Sequence, residues 1–227
     1  MKHSQIDSVS AFHQLIQDHW DAIYYYRGED SDKYELCPKF GRDQKKSEHN
    51  TPEIEKAIFE EFKRKAIPYL SYNPVSDWDW LAIAQHHGLH TRLLDWTANP
   101  LAATFFAVNN KLTGDSVLYI FNDADLLIVD EHLHISPFNI KDRMLFHPRN
   151  LTSRINAQAG LFTVHPNPSI AFETPSMERI IIKESCTIDL SAVLDSYNIN
   201  PHTMFPDLDG LSKSLVEAWI RGLDYMH

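Results

Sequence analysis

The chain has 227 residues, with 21 Lys and Arg against 31 Asp and Glu, so its formal net charge at pH 7 is −10. A protein this acidic repels phosphate backbones, and broad nucleic-acid binding is not expected unless basic residues gather in one cleft. A hydrophobic content of 43% is enough for a packed core and excludes wholesale disorder.

The first third of the chain alternates helical and extended patterns. Apolar residues recur at helical spacing near the N-terminus, and a run of tyrosines that favours a strand follows them. A threonine followed by proline is a favourable helix start. These patterns predict, in chain order, a helix over 8–20, a strand over 23–26 ending in a turn at 27–30, a loop over 41–51 and a helix from Thr51 to near Pro68.

The rest of the chain mixes both kinds of element and shows no internal repeat. We predict a helix over 78–85 closed by Gly88, an extended segment over 91–96, a buried helix capped by Thr97, strands over 116–122, 125–129, 159–165 and 178–184, a loop over 136–153, and helices over 190–197 and 208–223. This order indicates an α+β fold, with a central sheet flanked by helices in one mixed domain over 1–227.

Cysteine usage and hydropathy indicate the compartment. Cys37 and Cys186 are the only cysteines and have no metal-ligand spacing, which fits a reducing environment. The N-terminus lacks the continuous apolar core of a secretory signal, and no apolar run approaches the roughly 18 residues that cross a bilayer. We therefore expect a cytoplasmic protein without a membrane partner.

Arg27 and Gly28 form the first candidate site, at the end of a predicted strand. A guanidinium offers a rigid fork of donors that suits phosphate or carboxylate, and the glycine lets a ligand approach the backbone. The alternative is an exposed arginine at a turn, with Glu29 and Asp30 as its only partners.

The second candidate site is the run QHHGLHTRLLDWT at 85–97. Its polar residues could line a cleft for an anionic ligand, helped by the positive end of the helix that begins after Thr97. Alternatively, the first two residues of the run cap the preceding helix while Arg92 pairs with Asp95 across a turn.

A metal site in the same run is a third alternative. Its ligands would be His86, His87, His90 and Asp95. Gly88 interrupts the helix between the histidines, and neither an intervening Glu nor a nearby Cys completes the ligand set. We expect no metal.

The third candidate site is the run RINAQAGLFTVH, with Arg154, Gln158 and His165, of which Gln158 lies just before a predicted strand. A polar side chain just before an apolar strand can orient a substrate hydroxyl or a water, or it can bond to its own loop. The chain has no GxGxxG, Walker lysine or Gly-x-Ser-x-Gly motif, so the common sites that use them are excluded.

Taken in this order, YYYRGED, LAIAQHHGLHTRLLDWTANPLAATFFAV and RINAQAGLFTVHP resemble the FRG domain family, which is named for its aromatic-Arg-Gly motif. The family's central run, Ala-Gln-His-x-Gly-x-x-Thr-Arg-Leu-Leu-Asp-Trp-Thr before an apolar helix, is matched over 84–107, and Tyr26 stands in place of Phe. The resemblance implies a motif-bearing core over about 20–185, a helical extension over about 186–227, and a bacterial or phage origin. The family as a whole has no established reaction.

The order of the motifs is also similar to the layout of ADP-ribosyltransferases, which use NAD. That similarity implies two catalytic residues, Arg27, which would hold the pyrophosphate or ribose, and Gln158, or less favourably Glu178, which would act at the nicotinamide ribose. The usual Glu-x-Glu is missing. The alternative is a non-catalytic module for an anionic small molecule, a nucleotide or a protein partner. The other ligand-facing positions expected in either case are Tyr26, Gly28, His86, His87, Arg92, Asp95 and Thr97.

Overall fold

The computed structural model describes residues 2–44, 51–70, 72, 74–109, 113–129, 135–149 and 152–220. Within these ranges, eight strands form one mixed sheet. They are β1 (Lys2–Ile6), β2 (Tyr24–Glu29), β3 (Leu93–Thr97), β4 (Ser116–Asn122), β5 (Leu127–Ile128), β6 (Met144–Phe146), β7 (Gly160–Val164) and β8 (Glu178–Ile182). The order across the sheet is β1-β8-β4-β2-β3-β7-β6-β5, and the two outer pairs, β1–β8 and β6–β5, are parallel while the others are antiparallel.

Nine helices flank the sheet in the described part of the chain. They are α1 (Val9–Asp18), α2 (Lys39–Gln44), α3 (Pro52–Ala66), α4 (Asp77–His86), α5 (Pro100–Val108), α6 (Ser153–Ala157), α7 (Thr187–Ser196), α8 (Pro201–Met204) and α9 (Leu208–Ile220). The predicted α+β class, with a central sheet between helices, is therefore confirmed. None of the described helices combines the length and apolar character that a membrane span requires.

The sheet separates two hydrophobic clusters because successive strand residues point to opposite faces. On β2, Tyr26 packs with α5 and α7, while its neighbour Tyr25 packs on the other face with Trp96 and Phe121. The central strand β4 is buried at its first six positions, as its continuous apolar sequence predicts. A third cluster joins α3 and α4 to β6 and β7.

The sheet opens between β2 and β3. β2 pairs with β4 at six positions, but among the described residues it pairs with β3 only through Tyr26 and Thr97. Beyond that pair the two strands diverge, so Arg27 and Glu29 on β2 face Asp95 on β3 across a gap. The cavity described below lies at this gap.

One predicted strand boundary was wrong and one strand was not predicted, because pairing with distant strands outweighs local sequence preference. The strand β2 continues through Glu29, where we predicted a turn, because Arg27, Gly28 and Glu29 pair with β4. The polar segment that forms β1 was not predicted as a strand and is held by parallel pairing with β8. In both strands, hydrogen-bonded pairing with a strand distant in sequence outweighs the preference of the local residues.

Other differences concern predicted loops and one helix cap. α2 overlaps the start of the predicted loop 41–51, of which residues 45–50 fall outside the described ranges. β6 interrupts the predicted loop 136–153, and α6 begins at its last residue. α5 is capped by Asn99, whose side chain accepts a hydrogen bond from the Leu101 N–H at 2.9 Å, and not by Thr97. The predicted closure of α4 by a left-handed glycine is confirmed, with φ of +86° at Gly88.

Candidate functional site

A cavity of about 500 Å³ lies where β2 and β3 separate. Five parts of the fold line it, namely β2 and the residue after it, the end of α4, β3, one side of α5, and α6 with its cap. The N-terminal residues of α5 are not part of the lining, so the expectation that this helix end would face an anion is wrong. Ala103 and Phe106, further along the helix, line the cavity instead.

The cavity brings the three sequence motifs together. Seven of the predicted site residues line it, and they are Tyr26, Arg27, Gly28, His86, Asp95, Thr97 and Gln158. His87 and Arg92 do not line it, and neither does Glu178, which lies 3.6 Å from His19 at the start of β8. Burial raises the pKa of Tyr26 to about 12, with a smaller contribution from Tyr24, so its hydroxyl stays protonated.

Arg27 joins β2 to β3 across the gap. Its Nε and Nη2 donate to one oxygen of Glu29 at 2.8 and 2.5 Å, and its Nη1 donates to the carbonyl of Asp95 at 2.8 Å. Burial alone would lower the pKa of Arg27, but the charges of Glu29 and Asp95 outweigh it and raise the pKa. The guanidinium is therefore compensated within the protein and fixes the geometry of the gap.

Gly28 serves the packing of α5. A Cβ placed on this glycine would lie 1.8 Å from the carbonyl oxygen of Ala103 and 2.8 Å from the backbone nitrogen of Ala107. The close approach that we predicted for a ligand at Gly28 is thus made by a helix backbone, although the glycine also borders the cavity.

Arg154 also lines the cavity, and its guanidinium does not donate a hydrogen bond to any described carboxylate. Among the residues that the structure describes, no acceptor pairs with its guanidinium, which lies over the Phe205 ring at 4.5 Å. Burial lowers the pKa of Arg154, and the charges of Asp95 and Asp207 oppose that shift only in part. The sequence analysis included Arg154 in the third candidate run without giving it a role, and its spacing of four from Gln158 places both residues on one helix face.

His86 is a neutral group in the wall of the cavity. Burial lowers its pKa to about 4, with smaller contributions from His87 and Arg154, while Asp207 acts in the opposite direction. At neutral pH the imidazole can therefore donate and accept hydrogen bonds without carrying charge. His87 is the exposed cap residue of α4, and its ring lies nearly perpendicular to that of His86 at 4.7 Å.

Arg92, which we expected to face a ligand, is buried in an ion pair. Its Nη2 lies 2.6 Å from the carboxylate of Glu55, and both side chains are only 3% exposed. The guanidinium also lies 4.7 Å from the Phe138 ring and donates to the carbonyl of Pro137 at 3.4 Å. The predicted pairing of Arg92 with Asp95 is wrong as well, because Asp95 is bound elsewhere.

Thr97 and Gln158 connect three segments at the edge of the cavity. The Thr97 hydroxyl donates to the backbone carbonyl of Gln158 at 2.6 Å and accepts from the Asn99 N–H at 2.9 Å. The Gln158 side-chain nitrogen donates to the carbonyl of Met204 at 2.9 Å. Gln158 therefore ties α6 to α8, so the C-terminal region contributes to the cavity wall.

The histidines of the run do not converge with Asp95. His90 pairs with Asp43, outside the cavity lining. In the described ranges, no group of three or more His, Cys, Asp or Glu side chains is arranged to hold a metal ion.

A smaller cavity of about 90 Å³ adjoins the main one. The two share six lining residues, including Asp95, Arg154 and Gln158. The remaining walls of the smaller cavity are mostly apolar and come from Ile155, Gly160, Leu161 and Phe162. A polar cavity with an apolar annex beside its charged groups is suited to a ligand that has both kinds of surface.

The fold is an α+β domain with a cavity at an opening in its sheet. The family model of the FRG domain matches residues 22–116, so this chain contains an FRG domain, as its motifs predicted. The matched region holds the cavity residues from Tyr26 to Phe106, whereas Arg154 and Gln158 lie beyond it. Comparisons with curated proteins and with solved structures gave no match.

Proposed function

We propose that the cavity binds an anionic nucleotide of the NAD class and that the protein is an ADP-ribosyltransferase-like enzyme that cleaves the bond between ribose and nicotinamide. Arg154 is the observation that supports this most, because it is a partly buried guanidinium in the cavity that no described acceptor satisfies. A phosphate group would supply the missing charge through two parallel hydrogen bonds.

The dimensions of the cavity suit such a ligand. Its volume of about 500 Å³ lies within the roughly 300–1,000 Å³ that is typical of small-molecule sites. Phe106 supplies aromatic surface for a base, and the apolar annex beside Asp95 would receive one edge of the nicotinamide ring. Gln158 would orient a ribose hydroxyl through its amide oxygen, which accepts no hydrogen bond from the described residues.

The proposed reaction breaks the N-glycosidic bond of NAD. The bonding electron pair moves to the ring nitrogen of nicotinamide, which leaves as a neutral molecule, while positive charge develops on the ribose. A nucleophile, either water or a group on a protein target, then bonds to the anomeric carbon and releases its proton. Preorganised negative charge beside the ribose lowers the barrier, because the charge of the transition state is stabilised in place.

Arg154→Ala is expected to reduce the release of nicotinamide from NAD. The loss of even one hydrogen bond to a charged group is worth about 1.5–3 kcal/mol, which corresponds to a KM roughly 10-fold to 100-fold higher. Nicotinamide is quantified by chromatography after incubation of the protein with NAD.

Arg64→Ala is the matched control, since it also removes a guanidinium, but one on the surface of α3 that is 69% exposed. It should leave the rate unchanged. Wild-type protein that releases no nicotinamide, or an Arg154→Ala variant as active as wild type, would contradict the proposed enzyme.

A binding module without turnover is the second candidate. Both residues that the sequence indicated as catalytic already form hydrogen bonds within the protein, which favours this module. Arg27 donates to Glu29, and Gln158 donates to the carbonyl of Met204. ADP-ribose would then raise the melting temperature, because it binds only the folded state, while NAD would remain intact during incubation.

A further inference from the structure

We infer that Asp95 is the catalytic carboxylate of this site, and that Gln85 and Thr91 are positioning residues that hold it beside the ribose. This role of Asp95 rests on the proposed cleavage of NAD. Asp95 would be the group that stabilises the positive charge on the ribose. The similarity to ADP-ribosyltransferases had pointed to Gln158 for that role.

A chain of hydrogen bonds orients the Asp95 side chain. The Thr91 hydroxyl donates to the Gln85 side-chain oxygen at 2.7 Å, and the Gln85 side-chain nitrogen donates to Oδ2 of Asp95 at 2.9 Å. Thr91 is only 1% exposed, and its hydroxyl also accepts the Leu93 N–H at 3.0 Å. The support behind Asp95 is therefore anchored in the protein interior.

The backbone of Asp95 is fixed from the opposite side of the gap. Arg27 donates to its carbonyl at 2.8 Å, whereas the nearest guanidinium nitrogen is 3.6 Å from the carboxylate. The carboxylate is thus oriented by Gln85 and forms only a longer ion pair with Arg27, at 3.6 Å. Its side chain is 55% exposed and borders both the main cavity and the annex, so it is accessible to a ligand.

The other acidic groups of the cavity are less suited to this role. One oxygen of Glu29 already accepts two hydrogen bonds from Arg27, which compensates its charge. Asp30 is exposed at the end of β2, and it borders the main cavity but not the annex. Asp95 alone among these three carboxylates lies where the two cavities meet.

The same contacts explain three polar positions of the run at 85–97. The left-handed turn at Gly88 ends α4 and reverses the chain, so that Gln85 on the helix meets Thr91 and Asp95. Thr91 lies six positions after Gln85, and Asp95 lies four positions after Thr91. The two hydrogen bonds of Gln85 join these residues and fix the orientation of the Asp95 carboxylate. Preorganisation of this kind removes the cost of reorienting a charged group as the transition state forms.

In the proposed step, the ionised Asp95 carboxylate lies beside the ribose as the N-glycosidic bond breaks. Electrons leave with nicotinamide, and the positive charge that remains on the ribose ring is stabilised by the carboxylate. After the nucleophile bonds to the anomeric carbon, its proton passes to Asp95 or to solvent. The carboxylate is ionised again at the end of the cycle.

Asp95→Asn keeps the size of the side chain and an oxygen that can accept from Gln85, but removes the charge. We expect kcat for nicotinamide release to fall on the order of 100-fold, as when one preorganised group is removed from a transition-state site. Binding of ADP-ribose, measured by calorimetry, should change less than threefold, since the anion-binding Arg154 is intact.

Variants of Gln85 separate positioning from ligand contact. Gln85→Ala removes the support of the Asp95 side chain, and Gln85→Glu keeps its length but places a carboxylate where the amide had donated to Asp95. Both should lower kcat by about 10-fold or more while KM stays within twofold, as expected for an interaction realised only in the transition state. Melting temperatures are measured alongside to confirm folding.

Thr91 offers a conservative rescue. Thr91→Val removes the hydroxyl and should lower kcat several-fold, whereas Thr91→Ser retains the donor to Gln85 and should restore it to within about twofold of wild type. A substitution that acted only through packing would not be rescued by the smaller serine.

The outcomes distinguish the two levels of the proposal. Wild-type protein without nicotinamide release would overturn both the enzyme and the role of Asp95. Active wild-type protein with an equally active Asp95→Asn variant would overturn the role of Asp95 alone. Gln85 variants that raise KM without lowering kcat would show that Gln85 contacts the ligand and does not position the carboxylate.

Discussion

Arg92→Ala is expected to lower the free energy of unfolding by about 3–5 kcal/mol, because it leaves a buried carboxylate without its cation. Glu55 is 3% exposed and accepts from Arg92 at 2.6 Å, and the described structure offers it no second cation within ion-pair distance. Urea denaturation at neutral pH measures this loss as a lower midpoint with an unchanged slope.

The double variant Glu55→Leu with Arg92→Met tests the physical reason. Replacing both charges by apolar side chains of similar size is often neutral or stabilising, so most of the lost stability should return. The exposed pair Arg64–Glu61 is a matched control, and Arg64→Ala should leave the midpoint unchanged. An Arg92→Ala variant as stable as wild type would show that the pair is not buried as described.

Gly28→Ala should lower the free energy of unfolding by about 3 kcal/mol or more, since its methyl group meets rigid backbone. The added Cβ would lie 1.8 Å from the Ala103 carbonyl oxygen, so α5 must move away from β2. Overpacking against flexible side chains costs about 1–3 kcal/mol, and a helix backbone cannot yield so easily.

Gly160→Ala is the control for that substitution. This glycine also lies in a strand beside the site, but the nearest atom to an added Cβ is 3.5 Å away, an ordinary van der Waals distance. The control should remain within about 1 kcal/mol of wild type in the same denaturation experiment. A Gly28→Ala variant that matched it would contradict the close packing of α5 on β2.

Much of the fold could be predicted from local patterns. The apolar run of β4 and the apolar helix α5 are periodic or continuous over enough residues to indicate their type and burial. The strand β1 could not be predicted in this way, because its polar sequence forms a strand only through pairing with β8. The continuation of β2 through Gly28 likewise depends on pairing with β4.

The location of the candidate site could be predicted from the sequence, but the ion-pair partner of each arginine could not. Motif order indicated that the segments around Arg27, Asp95 and Gln158 meet, and they line one cavity. Partners far apart in sequence were invisible, and Arg92 illustrates this, since Glu55 lies 37 positions away. Sequence reasoning had placed Arg154 in the third candidate run, but its role as the cation available to an anion became apparent only once the acids around each arginine were known.

Calorimetric titration with ADP-ribose tests most directly the claim that the cavity is an anion-binding nucleotide site built around Arg154. We predict one binding site per chain in the wild-type protein, affinity about 10-fold to 100-fold weaker in Arg154→Ala, and unchanged affinity in Arg64→Ala. Equal affinity in the two arginine variants, or no binding to the wild-type protein, would contradict it.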